Sequence, residues 1–453
     1  MSTLFVANRG EIAARIIRSA REAGFRCAVA RPDVDEGLPY VDDADVVIDL
    51  ESPRSFSDPA VMVDAAVAAG ADLLHPGYGF LSESADFARA VQQAGIVFVG
   101  PGPDIIETMG DKANARARAV ASGLAVPAGS LGPISSVREA RLVAAEAGFP
   151  LMVKAVAGGG GIGMAVAADE SSLEEVVTAV MGRAASVFGD DRVIVEQYLS
   201  ASKHVEVQVM GLPDGRVIAL AERDCSVQRR HQKVVEESPS PAVDRTQRAR
   251  LRSLACQLAE GVGYQNAGTV EFILDSSSGE AYFLEMNTRL QVEHPVTEAV
   301  HGVDLVRWQL EIAQGSSRVP DGLLLEPRGH AVELRLYAED SERFLPRPGK
   351  ISRWTLPSGK DLRVDSGYAD GAVVTPFFDP LLAKIIALGG TRDEAIDSAV
   401  AAVRETRVDG PGNNLVFLDR VLRTPEFREG TYDTNVVTVM AARRHDDDRA
   451  PAE

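Results

Sequence analysis

The stretch of sequence that decides the fold alternates charged or amide residues with others: Glu285-Met286-Asn287-Thr288-Arg289-Leu290-Gln291-Val292-Glu293. In an extended chain successive side chains point to opposite faces, so the charged and amide groups share one face. Carboxylates, a carboxamide and a guanidinium on one surface suit a hard cation and a small planar anion. From this row alone, a solvated edge strand with salt bridges is an equally good interpretation.

The residues before this row predict a β-hairpin that completes a metal site. Two apolar, β-prone runs, 268–274 and 281–285, flank turn-forming residues. A loop over Ser276 to Glu280 puts Glu271 directly opposite Glu285, roughly 5 Å away. Like charges at that separation repel unless a cation bridges them. We therefore interpret Glu271, Glu285 and Asn287 as ligands of a divalent metal that also carries nucleotide phosphates.

A second motif joins two apolar, β-prone segments through glycines. It reads Lys154-Ala-Val-Ala-Gly158-Gly159-Gly160-Gly161-Ile162-Gly163-Met164. Glycines let backbone N–H groups approach phosphate oxygens, and Lys154 adds a cation nearby. The spacing matches G-x-G-x-x-G, but no helix pattern follows, so the motif does not indicate a dinucleotide fold. A glycine-tipped hairpin that closes over a nucleotide is favoured over a flexible linker.

A third cluster concentrates basic groups in an acidic chain. It reads Gln228-Arg229-Arg230-His231-Gln232-Lys233, within 453 residues that hold 47 Lys and Arg against 66 Asp and Glu, a net charge of −19. This charge balance disfavours a nucleic-acid or membrane-surface partner. Alone, the run is typical of a solvated face, but beside a glycine loop and a carboxylate hairpin it predicts a site for small anions.

Together these clusters resemble the biotin carboxylase family of the ATP-grasp superfamily. The resemblance extends from about residue 4 to Val439 and is specific because nine segments occur in register. They are Ala7-Asn-Arg-Gly-Glu-Ile-Ala13, His75-Pro-Gly-Tyr-Gly-Phe-Leu-Ser-Glu83, Met109-Gly-Asp-Lys112, Lys154 with its glycine loop, Glu222-Arg-Asp-Cys-Ser226, Gln228-Arg-Arg-His-Gln-Lys233, Glu285-Met-Asn-Thr-Arg289, Gln291-Val-Glu-His-Pro-Val-Thr297, and Gly329-His-Ala-Val-Glu333 followed by Arg335.

The resemblance implies a reaction and a set of residue roles. Bicarbonate attacks the γ-phosphate of MgATP to give carboxyphosphate, whose carboxyl group then passes to biotin. The implied catalytic residues are Glu293 as general base, Arg335 at the biotin enolate, Lys233 and Arg289. Arg289, Gln291, the Val292 backbone and Lys233 would hold bicarbonate, and Tyr78 and Arg335 biotin. Nucleotide contacts fall to Lys112, Lys154, Gly159, Gly160, Gly161, Met164, Glu196, Leu199, His204, Gln228 and His231.

In the family, Glu271, Glu285 and Asn287 would bind Mg²⁺ (or Mn²⁺). One departure is Ile162, which stands where the family's glycine loop often has an arginine. Some relatives, such as urea carboxylases, also have isoleucine there, so activity is not excluded.

The predicted fold class combines α/β and α+β parts. A parallel α/β domain, the pre-ATP-grasp domain, covers 1–110, and an ATP-grasp domain covers 111–330 with a small glycine-loop lid at 127–199. A C-terminal α+β domain covers 331–443, and a charged tail at 444–453 is predicted to be disordered.

The sequence also predicts partners and a location. It contains no Met-Lys-Met motif of a biotinyl domain, so biotin would arrive on a biotin carboxyl carrier protein and carboxyltransfer would occur on another subunit of an acyl-CoA carboxylase. The family is commonly homodimeric. Three cysteines without a C-x-x-C pattern and no export or membrane-spanning pattern favour the cytoplasm. The alternatives are a carbamoyl-phosphate-type ligase that phosphorylates bicarbonate and a non-catalytic nucleotide-binding subunit.

Overall fold

A parallel α/β layer comes first in the chain. The computed structural model describes residues 1–130, 132–156 and 163–447, apart from the side chains at 188 and 444–447. The first sheet has the strand order β3-β2-β1-β4-β5, with every pair parallel. Its elements are β1 Thr3–Val6, α1 Gly10–Glu22, β2 Arg26–Pro32, α2 Pro39–Asp42, β3 Val46–Leu50, α3 Pro59–Ala68, β4 Leu73–His75, α4 Ala85–Gln93 and β5 Val97–Phe98.

This layer buries both faces of its sheet, as a parallel sheet requires. Leu4 and Val6 pack with Ile16 of α1, whereas Phe5 packs with Phe87 of α4 in a separate cluster. Because successive side chains of β1 point to opposite faces of the sheet, this strand contributes to two separate hydrophobic clusters. The predicted parallel α/β character of this part of the chain is confirmed.

A small three-stranded unit carries the glycine motif. Its sheet order is β7-β6-β8, and Lys154 lies opposite Met164 in the antiparallel β6–β7 pair. Helices α5 Pro103–Gly110 and α6 Lys112–Ala121 precede the unit and pack on the large sheet described next. The unit itself consists of α7 Val137–Ala147, β6 Leu151–Ala155, β7 Met164–Ala167, α8 Glu170–Phe188 and β8 Val193–Gln197. The predicted β-prone segments on both sides of the glycines are confirmed as the antiparallel strands β6 and β7. The predicted loop residues Gly159, Gly160, Gly161 and Ile162 lie outside the described residues.

An eight-stranded antiparallel sheet forms the centre of the molecule, in the order β13-β12-β9-β10-β11-β14-β19-β17. Helix α9 packs against β10, and α12 packs against β19. The first elements are β9 Ser202–Gly211, β10 Val217–Arg229, β11 Gln232–Ser238, α9 Arg245–Gly261, β12 Asn266–Asp275, β13 Ala281–Asn287, α10 His294–His301 and α11 Leu305–Ala313.

The remaining elements complete this sheet and cover it. They are β14 His330–Tyr337, β15 Gly349–Lys350, β16 Arg353–Thr355, β17 Leu362–Ser366, β18 Val373–Val374, β19 Leu381–Gly389, α12 Arg392–Glu405, β20 Arg407–Asp409, α13 Leu415–Arg423, α14 Pro425–Glu429 and α15 Val436–Asp447. The tail predicted to be disordered from residue 444 is helical to Asp447, because α15 continues through those positions. Residues 448–453 lie outside the description.

The carboxylate hairpin reaches the predicted pairing by a different path. Asp275 N–H donates to the carbonyl of Glu280, so the loop is one residue shorter than predicted and Phe272 lies opposite Phe283. An irregularity between Glu271 and Phe272 then shifts the register, and Glu271 lies opposite Glu285 as predicted. A bulge of this kind inserts one extra residue into one strand, which compensates for the shorter turn.

Strand pairing joins the central and C-terminal parts of the chain. β14 pairs with β11, with Glu333 opposite Glu236, although β14 starts at the boundary predicted near residue 330. One continuous sheet therefore carries Lys233 on β11 and Arg335 on β14, and the two basic groups share a site.

We predict that Glu237 is a main electrostatic anchor of this junction. Its carboxylate accepts hydrogen bonds from His330, Arg392 and Tyr432 at 2.5, 2.7 and 2.6 Å. Burial opposes ionisation, but hydrogen bonds from His330 and Arg392 lower the pKa of Glu237 from 4.5 to about 2. A lowered pKa stabilises the folded state above the ordinary pKa, and that stability is lost as the pH falls toward about 2.

Glu237→Gln should therefore lower the free energy of unfolding at neutral pH by about 3 kcal/mol. Its deficit relative to the wild type should shrink in acid. Denaturant unfolding at neutral pH and near pH 3 measures both effects. Asp397→Asn, which removes an exposed partner of Arg428, is the control and should cost less than about 1 kcal/mol. Equal losses in both variants would contradict the assignment.

Candidate active site

The centre of the site is the ammonium group of Lys233 on β11. Its Nζ lies 2.5 Å from Glu206 Oε2, 3.0 Å from Glu271 Oε1 and 2.7 Å from Glu293 Oε1. Burial opposes the charge, but the three carboxylates raise the pKa of Lys233 well above its ordinary value. Lys233 is therefore a permanent cation that holds carboxylates from three different chain segments.

Glu293, the predicted general base, is fully buried between two cations. Oε1 accepts from Lys233, and Oε2 accepts from Arg335 Nη2 at 3.0 Å. Burial would raise the pKa of Glu293, but Lys233 and Arg335 hold it well below its ordinary value. The carboxylate is ionised and can accept a proton. An anion that shares these two cations would restore part of its basicity, because each cation now favours the deprotonated form.

Arg335 contacts a second carboxylate, that of Glu236. Its Nη2 lies 2.6 Å from Glu236 Oε1, and Glu333 lies opposite Glu236 in the ladder. Burial raises the pKa of Glu236 to about 7 and that of Glu333 well above its ordinary value. Neither carboxyl oxygen of Glu333 has a hydrogen-bond partner among the described residues. Arg335 is therefore shared between the carboxylates of Glu236 and Glu293.

The paired carboxylates of the hairpin fit a divalent cation. Burial, and then the charge of Glu271, raise the pKa of Glu285, whereas Lys112 opposes the rise. This strain between like charges would be relieved by a cation that prefers oxygen ligands, such as Mg²⁺. Glu271 also receives hydrogen bonds from Asn287 Nδ2 at 2.9 Å and lies 2.7 Å from His204 Nε2. The solvated-edge alternative does not hold for Glu271, because it is buried.

Asn287 is oriented differently from what a metal ligand requires. Its Oδ1 accepts from Arg289 Nη2 at 2.9 Å, and its Nδ2 points to Glu271. A ligand role for Asn287 therefore needs Arg289 to release this oxygen. Arg289 also donates to Glu83 Oε2 at 2.8 Å, so this guanidinium has a carboxylate partner that an incoming anion would have to compete with.

The predicted row of alternating residues ends earlier than expected. β13 stops at Asn287, and bends and a turn replace the extended chain up to Glu293. The polar groups still converge, because Gln291 Nε2 donates to Glu271 Oε1 at 2.8 Å while Glu293 meets Lys233. The turn leads directly into α10, which explains why the strand cannot continue.

Three of the predicted nucleotide residues, Lys112, Lys154 and Glu196, make their contacts around β6 and β8. Lys154 pairs with Glu196, whose other oxygen lies 3.1 Å from Arg116 Nη1. Lys112 Nζ donates to the carbonyl of Ala155 at 3.2 Å. Since β6 lies between β7 and β8, Lys154 is held between Met164 and Ile194.

Other predicted nucleotide residues belong to the central sheet or lie next to it. His204 Nδ1 contacts Gln228 Nε2 at 2.6 Å, which links the predicted ribose region to Glu271. Leu199 is half-buried just after β8, and His231 is exposed in the β10–β11 turn. His231 has a positive φ of 66°. Tyr78 lies in the loop after β4, where Asn8 Nδ2 donates to its carbonyl at 2.8 Å.

Sequence reasoning missed carboxylates that the structure places at the centre of the site. Glu206 is fully buried and contacts both Lys233 and Arg223. The signal was present, because polar residues alternate with valines along His204-Val205-Glu206-Val207-Gln208. Burial raises the pKa of the Cys225 thiol well above its ordinary value, which favours an inert thiol.

Comparison with known proteins assigns the family. Residues 1–106 match the biotin carboxylase N-terminal domain, residues 111–318 the ATP-binding domain of the carbamoyl-phosphate synthase L chain, and residues 333–439 the biotin carboxylase C-terminal domain. The chain is 43% identical over 438 residues to a biotin carboxylase of Halalkalibacterium halodurans, covering 96% of this chain and 97% of that one. It is 42% identical to biotin carboxylase 2 of Bacillus subtilis, covering 95% and 98%.

Solved structures agree with this assignment. The biotin carboxylase of Campylobacter jejuni, in a beta-gamma-ATP complex, superposes with a TM-score of 0.94 at 37% identity, covering 97% of this chain and 98% of that one. The biotin carboxylase domain dimer of the Hydrogenobacter thermophilus 2-oxoglutarate carboxylase, with MgADP, ADP and bicarbonate, gives 0.93 at 37% identity and covers 97% of both chains.

The chain belongs to the biotin carboxylase family. The predicted family resemblance and the predicted α/β and α+β fold class are thereby confirmed. The alternative of a carbamoyl-phosphate-type ligase is disfavoured, because the domains on both sides of the ATP-binding domain match biotin carboxylase domains.

The strain between Glu271 and Glu285 predicts a graded metal requirement. Glu285→Gln removes a charged oxygen ligand but leaves the Lys233 cluster intact, so it should raise the Mg²⁺ concentration for half-maximal ATP cleavage by about tenfold or more. The measurement is a Mg²⁺ titration at saturating nucleotide. Glu280→Gln, in the exposed turn of the same hairpin, is the matched control. Superimposable titrations for all three proteins would refute the metal site.

Proposed function

We propose that this protein carboxylates biotin on a separate carrier protein, using ATP and bicarbonate, as the first half-reaction of an acyl-CoA carboxylase. As a member of the biotin carboxylase family the chain is an ATP-dependent ligase. The observation that carries the specific proposal is Glu293 held between Lys233 and Arg335. A carboxylate base between two cations suits an anionic substrate that must lose a proton.

The first step assigned to these residues is phosphoryl transfer to bicarbonate. Arg289, Gln291, the Val292 backbone and Lys233 hold bicarbonate, and Glu293 removes its proton as the oxygen attacks the γ-phosphate. Glu271 and Glu285, with Asn287 once its oxygen is released, would hold Mg²⁺, which when bound offsets charge on the phosphates. The products of this step are ADP and carboxyphosphate.

Other residues position the nucleotide. Lys112 and Lys154 contact phosphates as ammonium point charges. The glycine-loop residues Gly159, Gly160 and Gly161 and the flanking Met164 cover the phosphates, and Glu196, Leu199, His204, Gln228 and His231 surround the adenine and ribose. The carboxylate of Glu196 already pairs with Lys154, so binding of phosphates would compete for the same ammonium.

The second step is carboxyl transfer. Carboxyphosphate breaks at the bond between its carbonyl carbon and the bridging oxygen, giving CO₂ and phosphate. The freed phosphate oxygen takes the N1′ proton of biotin, and N1′ then forms a bond to CO₂. Arg335 stabilises the negative charge that develops on the ureido oxygen, and Tyr78 lies beside the ring.

The family also suggests the wider assembly. Biotin-dependent carboxylases combine carrier and carboxyltransferase parts with this activity, and we propose a biotin carboxyl carrier protein and a carboxyltransferase subunit as partners of this chain, in the cytoplasm. A homodimer is proposed by similarity to the dimer of the Hydrogenobacter thermophilus domain. Among residues 1–130, 132–156 and 163–447, no helix has the length and apolarity needed to cross a membrane. We propose functional units at 1–110, 111–330 with a lid at 127–199, and 331–443.

A comparison of two variants tests the division of labour between the two steps. The charge on the biotin enolate exists only during carboxyl transfer, so Arg335→Ser should abolish most carbon fixation onto free biotin. Because Arg335 also contacts Glu293, bicarbonate-dependent ATP cleavage should fall by a smaller factor and persist in part. Glu293→Gln keeps the shape but cannot accept the proton, so it should lower both products by roughly 10²-fold. Phosphate release and labelled carbon in biotin are measured in parallel.

Parallel loss of both products in Arg335→Ser would move Arg335 to the phosphoryl step. Failure of the wild type to fix carbon, with carbamoyl phosphate formed from ammonia instead, would overturn the proposed function in favour of a carbamoyl-phosphate-type ligase.

A further inference from the structure

A second buried lysine lies behind the site, and neither the sequence motifs nor the proposed chemistry uses it. Lys384 lies on β19, directly opposite Arg335 in the β14–β19 ladder. Its side chain is 0% exposed. A buried ammonium is costly unless specific partners compensate for lost hydration, so its contacts indicate why it is present.

Those contacts come from three separate parts of the chain. Nζ donates to the carbonyl of Val292 at 2.8 Å and lies 3.2 Å from Glu11 Oε2 at the start of α1. It also lies 5.8 Å from the centroid of the Tyr78 ring, within the range of a cation–π contact. Lys384 therefore joins the turn after β13, the first helix and the loop after β4.

The contact with Val292 bears directly on the site. The Val292 carbonyl belongs to the turn that connects Gln291 with Glu293, and the N–H of His294 closes this turn on the Gln291 carbonyl at 3.3 Å. Fixing the Val292 carbonyl fixes the plane of the following peptide. That peptide joins Val292 to Glu293, so the constraint sets where the side chain of Glu293 starts, while the His294 N–H holds the carbonyl of Gln291.

At this position a cation can pair with a buried carboxylate and orient a backbone carbonyl at the same time. β14 and β19 place Lys384 and Arg335 in register on neighbouring strands, while Glu11 is the only carboxylate in ion-pair contact with Lys384 among the described residues. Glu11 is itself buried, so the pair ties the N-terminal layer to the turn. A hydrocarbon of the same length could fill the space but could not orient a carbonyl group.

We propose that Lys384 is a positioning residue for the bicarbonate step. Its ammonium group is anchored by the Glu11 carboxylate and donates to the Val292 carbonyl, and it thereby sets the geometry of the turn that presents Gln291, the Val292 backbone and Glu293. The proposal rests on the proposed function, because it takes this turn as the bicarbonate site. It places no reacting atom on Lys384, which acts only through the turn.

The test separates a positioning role from general loss of stability. Lys384→Met keeps the length of the side chain but removes the donor. It should raise the KM for bicarbonate by about tenfold or more, the effect of losing one charge-assisted hydrogen bond, and change the KM for ATP less than about twofold. Lys203→Met is the matched control, since Lys203 is also buried and ion-paired, to Asp224 at 3.2 Å, on another contact network.

The control variant should lose stability without changing the KM for bicarbonate. If Lys384→Met and Lys203→Met give the same kinetic constants, or if the KM values for ATP and bicarbonate rise together in Lys384→Met, the positioning role is overturned. If Lys384→Met does not fold, Glu11→Gln decides. Burial raises the pKa of Glu11 to about 7 against the opposing charge of Lys384, so the variant is assayed above pH 8, where it retains the shape of the anchor but removes its charge. A rise in the bicarbonate KM alone supports the proposal, whereas unchanged constants overturn it.

These outcomes remain distinct from failure of the proposed function. A wild-type protein without bicarbonate-dependent ATP cleavage would reject the bicarbonate site itself. An active wild type with an unaltered Lys384→Met variant would reject only the role of the lysine.

Discussion

The site depends on one buried ammonium group surrounded by carboxylates. Lys233 on β11 contacts Glu206 on β9, Glu271 on β12 and Glu293 in the turn before α10. Three carboxylates this close would repel one another in a medium of low polarity, so the cation fixes the relative positions of all three segments. Arg335 then adds a second cation to Glu293, and the base is held from both sides.

The site contains paired cations and carboxylates before its charged substrates bind. The substrates proposed for the site, nucleotide phosphates and bicarbonate, are anions, and the cations that would meet them are now neutralised by protein carboxylates such as Glu83, Glu196 and Glu293. Substrate binding therefore exchanges one set of anions for another at fixed cations. Before the substrates bind, the cations therefore have carboxylate partners, and none is left as an unpaired buried charge, which would cost several kcal/mol.

Local patterns predicted much of the fold and site, and long-range contacts account for what was missed. The period of two in 285–293 and in the preceding runs was enough to predict Glu271 opposite Glu285, even though the true turn is shorter and a bulge corrects the register. The same period wrongly extended the strand beyond Asn287, since nothing local announced the turn into α10.

Contacts between distant segments left no such local signal. Glu206 lies 27 residues from Lys233, and Lys384 lies 92 residues from Val292. Their burial beside the site follows from the strand order, which brings β19 next to β14 and β14 next to β11. Sequence periodicity can assign a residue to a face of a strand, but it cannot say which strands become neighbours.

The central claim is that bicarbonate, held beside Glu293 and Lys233, attacks the γ-phosphate of ATP. The most direct measurement follows heavy-oxygen-labelled bicarbonate into inorganic phosphate during turnover with free biotin. The bridging oxygen of carboxyphosphate comes from bicarbonate and leaves with phosphate, so the account predicts one labelled oxygen in each phosphate released. Phosphate without label would mean that water cleaves ATP directly, and it would contradict the account.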